Sequence, residues 1–309
     1  MPRDLDDTYR AFVAAQPGAT LWHDADFLTC FGRDCGRWTY AAATDASGEL
    51  TGVLPVYRRR YPLGLAHGVA MPPLVRYCGP LLAARLPPDQ RGPTARALLA
   101  EARRSGLRFA QAWPREANAY VDAPEVAADF RIAERSTYLY DPRGTPADLL
   151  ARANKAKRRR IRRAREHFAA ERGPLGDADL AMLHTPFRQQ GLAVPYDDSV
   201  LARATALLHD RDRATCQRIV APDGTLAASA VCLWDAHRMY LWVIGSRAEG
   251  VGNAHAGTLA YVEMFALAQS LDLAEVDTLG SDLPGPAKHR RELGAVRHTY
   301  RVLTAGPGA

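Results

Sequence analysis

The sequence feature that most constrains the fold of this chain is a strand that runs into a glycine-rich turn at the start of a helix. Residues 240–244 form a continuous apolar run rich in aromatic and branched side chains, which is typical of a buried strand. An apolar-periodic segment at residues 257–271 predicts a helix shortly behind it. Three glycines interrupt the chain in between: Gly245, Gly250 and Gly252. Backbone N–H groups at such a turn converge, so we expect a phosphate or an acyl carbonyl oxygen to bind there.

The order of predicted elements occurs twice along the chain. Turns at residues 45–48 and 221–224 each separate two strand patterns, which predicts one hairpin in each half. A strand, a helix and a strand follow each hairpin, at about 67–82, 90–105 and 107–113 and again at 237–245, 255–270 and 274–279. This repetition predicts an α+β fold with two domains, each a mixed sheet flanked by helices. The proline-containing stretch 142–147 places their boundary, giving domains 1–143 and 144–309.

A predicted helix over residues 147–172, capped by Thr145, carries the densest charge. Leu150, Ile161 and Phe168 share one face of it, so the helix can pack through them while most cations stay in water. Like charges four residues apart cost about 0.2–0.5 kcal/mol per pair, so packing or a bound polyanion must offset this cost. A solvated surface and a phosphate-rich partner such as RNA or a nucleotide both stay open. The candidate phosphate-binding residues on this helix are Lys155, Arg158, Arg159, Arg162 and Arg163.

Composition narrows the class of partner. A net charge of +6 and a pI near 9.2 favour an anionic partner or substrate. DNA is not expected, because no helix-turn-helix, zinc-finger or zipper pattern accompanies the charges. No apolar run approaches the ~20 residues of a membrane span, and the N-terminus lacks a signal-peptide core, so we expect a cytoplasmic protein. The five cysteines are scattered without metal-ligand spacing, which predicts reduced thiols and no metal site.

Two resemblances bear on function. The spacing Arg247-x-x-Gly250-x-Gly252 is similar to the turn with which GNAT acetyltransferases hold the coenzyme A pyrophosphate, although an ordinary strand-to-helix turn can have it too. Longer stretches resemble FemAB-like proteins, in order, from about residue 20 to 303: residues 52–58, 77–82, 188–196, 240–246 and 276–294. The resemblance implies two tandem GNAT-like domains and transfer of an acyl group to an amine. In the best-known members the donor is an aminoacyl-tRNA, and the acceptor is a peptidoglycan precursor or a small peptide-like metabolite.

The chain departs from the FemAB-like pattern at two positions. Leu279 stands where the family often has an acidic residue, and His289-Arg290 replaces a Phe-Lys pair. Arg290 keeps a positive charge but has no titratable amine, so it is a candidate for charge stabilisation rather than proton transfer. The second domain also lacks room for the inserted helical arm of peptidoglycan-branching members, which favours a small soluble acceptor.

The expected chemistry suggests roles for further residues. Acyl transfer to an amine needs a polarised carbonyl and a proton acceptor, but no enzyme nucleophile when the donor is an activated ester or thioester. Asp277, at a predicted strand end, is the candidate general base, and Ser281 and Tyr240 are the alternative bases. Asp277 can instead have a structural role, in which its side chain caps the following turn. The backbone groups that are candidates for binding the donor carbonyl belong to Ile244, Gly245 and Ser246.

Two further sets of residues are candidates for binding. Lys288 and Arg291 on the last predicted helix can bind a phosphate or carboxylate, or simply complement the helix dipole. Tyr57 and Arg59 in the first domain are candidates to face the acceptor, and a solvent-facing strand end is the ordinary alternative.

Three functional hypotheses follow from these residues. The first is an aminoacyltransferase that uses aminoacyl-tRNA as co-substrate, supported by the basic helix and the pI. The second is an N-acetyltransferase that uses acetyl-CoA or another acyl-CoA, supported by the Arg247 turn. The third is a non-catalytic RNA- or nucleotide-binding protein on a degenerate GNAT scaffold, supported by Leu279 and Arg290. None of the three requires a bound cofactor.

Overall fold

A computed structural model gives the fold of this chain. It describes residues 3–32, 36–60, 67–104, 106–122, 124–247, 255–280 and 282–306. The chain divides into two compact units: unit 1 contains Met1–Arg135 and Thr299–Ala309, and unit 2 contains Ser136–His298. The change of unit lies between Arg135 and Ser136 instead of at the predicted 143/144 boundary. The last strand returns to unit 1 because its residues from Arg301 onward pair with residues 109–113.

Unit 1 contains a mixed sheet with helices packed against it. Its strands are β1 (Arg3–Asp4), β2 (Gly36–Thr44), β3 (Leu50–Arg60), β4 (His67–Ala70), β5 (Leu81–Leu82) and β6 (Phe109–Trp113). Its helices are α1 (Asp7–Ala14), α2 (Ala25–Thr29), α3 (Pro88–Arg104), α4 (Asn118–Val121) and α5 (Pro124–Asp129). Strands β7 (Arg131–Tyr140) and β13 (Val296–Ala305) each run from one unit into the other. The strand order is β1-β2-β3-β4-β6-β13, with β5 paired to β3.

Unit 2 repeats this construction. Its remaining strands are β8 (Ala169–Gly173), β9 (Ala214–Val220), β10 (Leu226–Trp234), β11 (Arg238–Ser246) and β12 (Glu275–Asp277). Its helices are α6 (Pro146–Arg152), α7 (Lys155–His167), α8 (Asp177–Leu183), α9 (Thr185–Gln189), α10 (Asp198–His209), α11 (Ala256–Ser270) and α12 (Pro284–Glu292). The strand order is β7-β12-β11-β10-β9-β8.

The predicted repeat is confirmed in both units. A hairpin (β2–β3 or β9–β10) precedes a strand, a helix and a strand, and the last two strands pair in parallel, β4 with β6 and β11 with β12. Parallel pairing requires a crossover connection, here through α3 or α11. The α+β prediction is therefore confirmed. The strand expected at 67–82 is shorter, because Pro72 and Pro73 follow β4 and cannot donate to a ladder.

The prediction of a single helix over residues 147–172 is wrong. The chain forms α6, then α7, then β8, because Asn154 is extended (φ −65°, ψ 163°) and its side chain accepts the Lys157 N–H at 2.8 Å. An asparagine cap of this kind starts a new helix. The cap predicted at Thr145 is confirmed, since its hydroxyl accepts the Asp148 N–H. Two short helices, α8 and α9, follow β8 in place of one longer helix.

The core of unit 2 surrounds α11, which is apolar on nearly every side and correspondingly buried. The Tyr140 ring stacks on the Phe265 ring with 3.7 Å between centroids. Helix α7 packs against this core through Ile161 and Ala164, both essentially inaccessible. The predicted division of α7 into a packing face and a charged face is therefore confirmed.

Candidate functional site

Strand β11 carries an irregularity that changes which of its side chains face α11. Val231 of β10 pairs with Val243, but the next residue, Cys232, pairs with Leu241, so Trp242 is an extra residue on β11. Before it, Met239 and Leu241 pack into the core around α11; after it, Ile244 packs there instead. The odd-numbered side chains thus face α11 before Trp242 and the even-numbered ones after it.

Beyond this point, β11 has a free edge. Its parallel pairing with β12 ends at Tyr240 opposite Asp277, and among the described residues no strand pairs with that edge farther along. The Arg247 N–H donates to Ala227 O on the other side, at 3.0 Å. Because successive N–H groups point to opposite edges of a strand, the amides of Ser246 and Ile244 point to the free edge. They remain the candidates for binding a donor carbonyl.

Gly245 has a different role from the predicted one. Its amide points toward β10, and a Cβ at this position would lie 2.1 Å from Met182 O and 2.8 Å from Leu183 Cα. The C-terminal end of α8 therefore lies directly on β11, which is possible only without a side chain at residue 245. We correct the prediction for this glycine: it permits helix–strand contact and does not present an amide to a donor.

The turn after β11 lies partly outside the described residues. This applies to Gly250 and Gly252, whose predicted role stays a prediction. Arg247 is exposed at the end of the described segment. Ser246 lies near the start of α11, since a Cβ on Gly257 would be 3.0 Å from its hydroxyl. The predicted strand and helix are both present, because β11 ends at Ser246 and α11 begins at Ala256.

Asp277 and Tyr240 are buried side by side in paired strands, and both are bonded. Asp277 Oδ1 accepts hydrogen bonds from Thr137 Oγ1 and, at 2.8 Å, from the Leu279 N–H. This is the turn cap given as the alternative to catalysis, and the general-base role stays a prediction. The Tyr240 hydroxyl donates to Asp235 at 2.9 Å, and burial first, then Asp235, raises its pKa well above its usual range. A phenol that keeps its proton cannot act as a base at neutral pH, so this geometry does not support Tyr240.

The turn after β12 brings Arg290 into the interior. Leu279 has φ 44° and Gly280 φ 26°, while Ser281 lies outside the described residues. Arg290 Nη2 donates to Leu279 O at 3.4 Å, and its guanidinium carbon lies 6.0 Å from the centre of the Tyr138 ring. Its Nε and Nη1 are buried without a hydrogen-bond partner in the described part of the chain. Unused donors on a buried guanidinium suit a carboxylate, a phosphate or a developing oxyanion.

A buried cluster next to Arg290 was not predicted. Lys157 is 4% exposed, and its Nζ lies 2.8 Å from His289 Nδ1 and 3.6 Å from Glu292 Oε2. Burial is the main cause that lowers the pKa of Lys157. Burial, followed by Lys157 and Arg290, lowers the pKa of His289 to about 4. From the sequence, Lys157 and Ile161 are expected on the same face of one helix. Nothing in the sequence indicates that α12 covers this face.

The outer face of α7 (Lys155, Arg159, Arg162 and Arg163) has the opposite character. These side chains are exposed and make no hydrogen bond or ion pair with any described residue. Arg158 does not belong with them, because its Nη1 donates to Ala153 O at 2.6 Å and to Ala151 O at 3.2 Å. It therefore caps the C-terminal end of α6, and its predicted phosphate-binding role stays a prediction.

The remaining predicted binding residues are separated in the structure. Lys288 and Arg291 are exposed on α12, and Lys288 lies 4.0 Å from Glu292. Arg59 is exposed near the end of β3. Tyr57 is buried in unit 1, with its ring 5.4 Å from that of Trp38, so this geometry does not support acceptor contact by Tyr57.

Sequence reasoning also missed a histidine–aspartate pair. His184 lies between α8 and α9, and its Nε2 is 2.7 Å from Asp198 Oδ1 at the start of α10. No spacing rule connects two residues on either side of an irregular loop. The structure brings them together because α8 and α10 both pack on β10.

Comparisons with known proteins identify this architecture. Residues 155–289 match the family model of an acetyltransferase (GNAT) domain. The chain has a GNAT fold. Among solved structures, FemX superposes with a TM-score of 0.64 at 13% identity, covering 95% of this chain and 94% of FemX. The C-terminal domain of a putative lysylphosphatidylglycerol synthetase from Agrobacterium fabrum gives a TM-score of 0.57 at 10% identity, covering 97% of this chain and 91% of that chain.

The L-PGS structure from Bacillus licheniformis is a third similar fold, with a TM-score of 0.55 at 12% identity, covering 100% of this chain and 94% of that chain. No curated protein matches in sequence. The predicted resemblance to FemAB-like tandem GNAT folds is thus confirmed at the level of the fold. Within the described ranges, no helix of this GNAT-fold chain is long and apolar enough to cross a membrane.

Proposed function

We propose that this protein is an N-acyltransferase that forms an amide bond, moving an aminoacyl group from aminoacyl-tRNA to the amine of a small peptide-like or metabolite acceptor. The GNAT domain match and the FemX-like fold support acyl transfer. The FemAB-like sequence stretches support an aminoacyl-tRNA donor. We expect the cytoplasm as the compartment, since charged tRNA is there.

The chemistry assigned to the site uses few residues. The Ile244 and Ser246 amides at the free edge of β11 bind the donor carbonyl and stabilise the oxyanion that develops on it. One such donor contributes about 10²–10³-fold to the rate of acyl transfer in other enzymes. The two unused donors of Arg290 stabilise negative charge on the donor or the intermediate. Because the ester donor is already activated, no enzyme nucleophile is needed.

The outer face of α7 is the observation that supports tRNA. Cations that pair with no protein carboxylate are available for phosphates, and release of counterions makes such binding favourable. The opposite face of the same helix is fixed in the core by Ile161 and Ala164. The arginines therefore project from a rigid support. Lys288 and Arg291 on α12 are further exposed cations, and Lys288 lies 4.0 Å from Glu292.

A specific observation favours a second donor, acyl-CoA. The matched family model is that of an acetyltransferase domain, and Arg247 stands at the turn between β11 and α11. In this alternative, the amides at the start of α11 and Arg247 hold the pyrophosphate. The same carbonyl-binding amides of β11 serve either donor.

Charge reversal on the outer face of α7 tests the tRNA donor. We expect Arg159→Glu/Arg162→Glu/Arg163→Glu to weaken tRNA binding by at least about tenfold and to reduce the salt slope of log K by about 2. Arg96→Glu/Arg104→Glu on α3 is the control, because it reverses helical arginines of unit 1, whereas α7 belongs to unit 2. Filter binding between 50 and 200 mM salt measures both effects.

Product analysis decides between the functions. Mixed charged tRNAs or acetyl-CoA are supplied with a panel of di- and tripeptides, and amide products are detected by mass spectrometry. Stabilisation and acetylation by acetyl-CoA without any effect of tRNA would replace the proposed donor. tRNA binding without a product from any amine would point to the non-catalytic RNA-binding alternative.

A further inference from the structure

His184 is the candidate for a missing component of the site, a proton acceptor that substrate can reach. We propose that His184 is the general base for the acceptor amine and that Asp198 holds its imidazole in place. This inference rests on the proposed acyl transfer. The two residues predicted as bases whose positions the structure describes, Asp277 and Tyr240, are buried and bonded, whereas the His184 side chain keeps 23% of its surface exposed.

The position of His184 relative to β11 carries the argument. The end of α8 lies on β11 at residue 245, where an added Cβ would be 2.8 Å from Leu183 Cα. His184 follows Leu183 directly, so its Cα lies within about 7 Å of that position. The residues on either side of Gly245, Ile244 and Ser246, supply the amides of the free edge. The His184 side chain therefore begins next to the segment of β11 that carries the carbonyl-binding amides.

The hydrogen bonding of the imidazole suits a base. Its Nε2 lies 2.7 Å from Asp198 Oδ1, so the neutral ring donates this N–H to the carboxylate. Its Nδ1 then carries the lone pair and has no hydrogen-bond partner among the described residues. When Nδ1 takes a proton, Asp198 stabilises the positive charge. This is the arrangement of base and orienting carboxylate found in hydrolases.

Two aromatic side chains lie beside the pair. The Tyr196 ring lies 6.1 Å from that of His184 and 6.0 Å from that of Phe187. The Tyr196 hydroxyl is buried and has no hydrogen-bond partner in the described chain, and burial followed by Asp198 raises its pKa to about 12. It therefore stays protonated and can donate to a carbonyl oxygen of the acceptor. An acceptor amine that carries such a carbonyl, as peptides do, has a partner for this unused donor.

The proposed step balances as follows. The acceptor nitrogen forms a bond to the acyl carbon while His184 Nδ1 takes one proton from that nitrogen. The C–O bond of the aminoacyl ester then breaks, and its electron pair goes to the leaving oxygen of the tRNA ribose. The proton on His184 passes to that oxygen, which leaves as a hydroxyl group. The base is regenerated and no further reactant is consumed.

Substitution with chemical rescue tests the assignment. We expect His184→Ala to lower kcat by about 10²–10⁴-fold, with added imidazole restoring part of the loss. Asp198→Asn should lower kcat with little change in KM, because the imidazole loses its orienting acceptor. His209→Gln is the matched control, since His209 is also half-buried in unit 2 and, among the described residues, its side chain bonds to Ala214 O alone. The assay uses the donor and peptide that give product with the wild-type protein, and thermal unfolding of each variant checks the fold.

Each result has a defined meaning. The general-base role is supported if His184→Ala loses activity that imidazole partly restores and His209→Gln keeps full activity. Activity of His184→Ala within about threefold of wild type overturns it, since general-base loss is larger. Loss that imidazole does not restore, with a lowered unfolding temperature, assigns His184 a structural role and also overturns it. No product from the wild-type protein with either donor refutes the proposed function, and the general-base role with it.

Discussion

The two faces of α7 carry the same residue types in opposite surroundings. On the outer face, Arg159, Arg162 and Arg163 are exposed and unpaired in the described structure. On the inner face, Lys157 is buried against α12, where His289 and Glu292 contact it. Charge density along the sequence does not distinguish these two sets. The packing partner decides whether a cation is available to a ligand or fixes one helix to another.

The largest effect is expected from reversing the inner charge. Lys157→Glu places a carboxylate near Glu292 in a buried position, and we expect it to lower the free energy of unfolding by about 3–5 kcal/mol. Arg159→Glu on the outer face should change it by no more than about 0.5 kcal/mol. Denaturant unfolding of both variants measures the difference, with Lys157→Met separating loss of charge from charge reversal. Equal, small effects would mean that the two faces do not differ as described.

The pH dependence of stability gives the next test of the buried cluster on the inner face of α7. His289 has a pKa of about 4 in the folded chain, below its ordinary value of about 6.5, because burial and then Lys157 and Arg290 oppose its protonation. Between these values the unfolded chain binds a proton that the folded chain does not, so stability falls as pH falls. From pH 7.5 to pH 5 we expect His289 to account for a loss of about 2 kcal/mol.

Unfolding of wild type and His289→Asn at both pH values isolates this contribution. The loss common to both proteins comes from other groups, and the excess in wild type belongs to His289. An identical loss in the two proteins would mean that His289 is protonated as easily in the folded chain as in the unfolded one.

The smallest expected effect is a difference in stability between variants of two adjacent arginines, Arg158 and Arg159. Arg158→Ala removes hydrogen bonds to two carbonyls at the end of α6, so we expect a loss of about 1 kcal/mol. Arg159→Ala should stay within about 0.5 kcal/mol of wild type. Thermal or urea unfolding resolves this difference when both variants are measured together. A larger loss from Arg159→Ala would assign that residue a contact that the described structure lacks.

Much of the fold could be predicted because it depends on local patterns. Turn residues at 45–48 and 221–224, alternation in the strands and the period of α11 all act within short segments. The face of α7 followed from residue spacing in the same way. The break before α7 was missed, although Asn154 is a residue type that often caps helices, because the charged run behind it looked continuous.

The site was harder to predict because its geometry depends on distant partners. Asp277 was found from its place at a predicted strand end and Arg290 from a resemblance. Only the structure showed that both are buried and that two Arg290 donors have no partner among the described residues. His184 and Asp198 meet through packing alone. Residue 245 must be glycine because the backbone of α8 lies against it, and no pattern within β11 indicates this contact.

The extra residue at Trp242 has a consequence for anyone aligning other sequences with this one. A relative whose β11 lacks such an insertion must be shifted by one position from there onward. Without that gap, a substitution on the face of β11 that packs on α11 would be mistaken for one on the opposite face, and the reverse. Family-wide tables of specificity residues for this strand are therefore trustworthy only when built on superposed backbones.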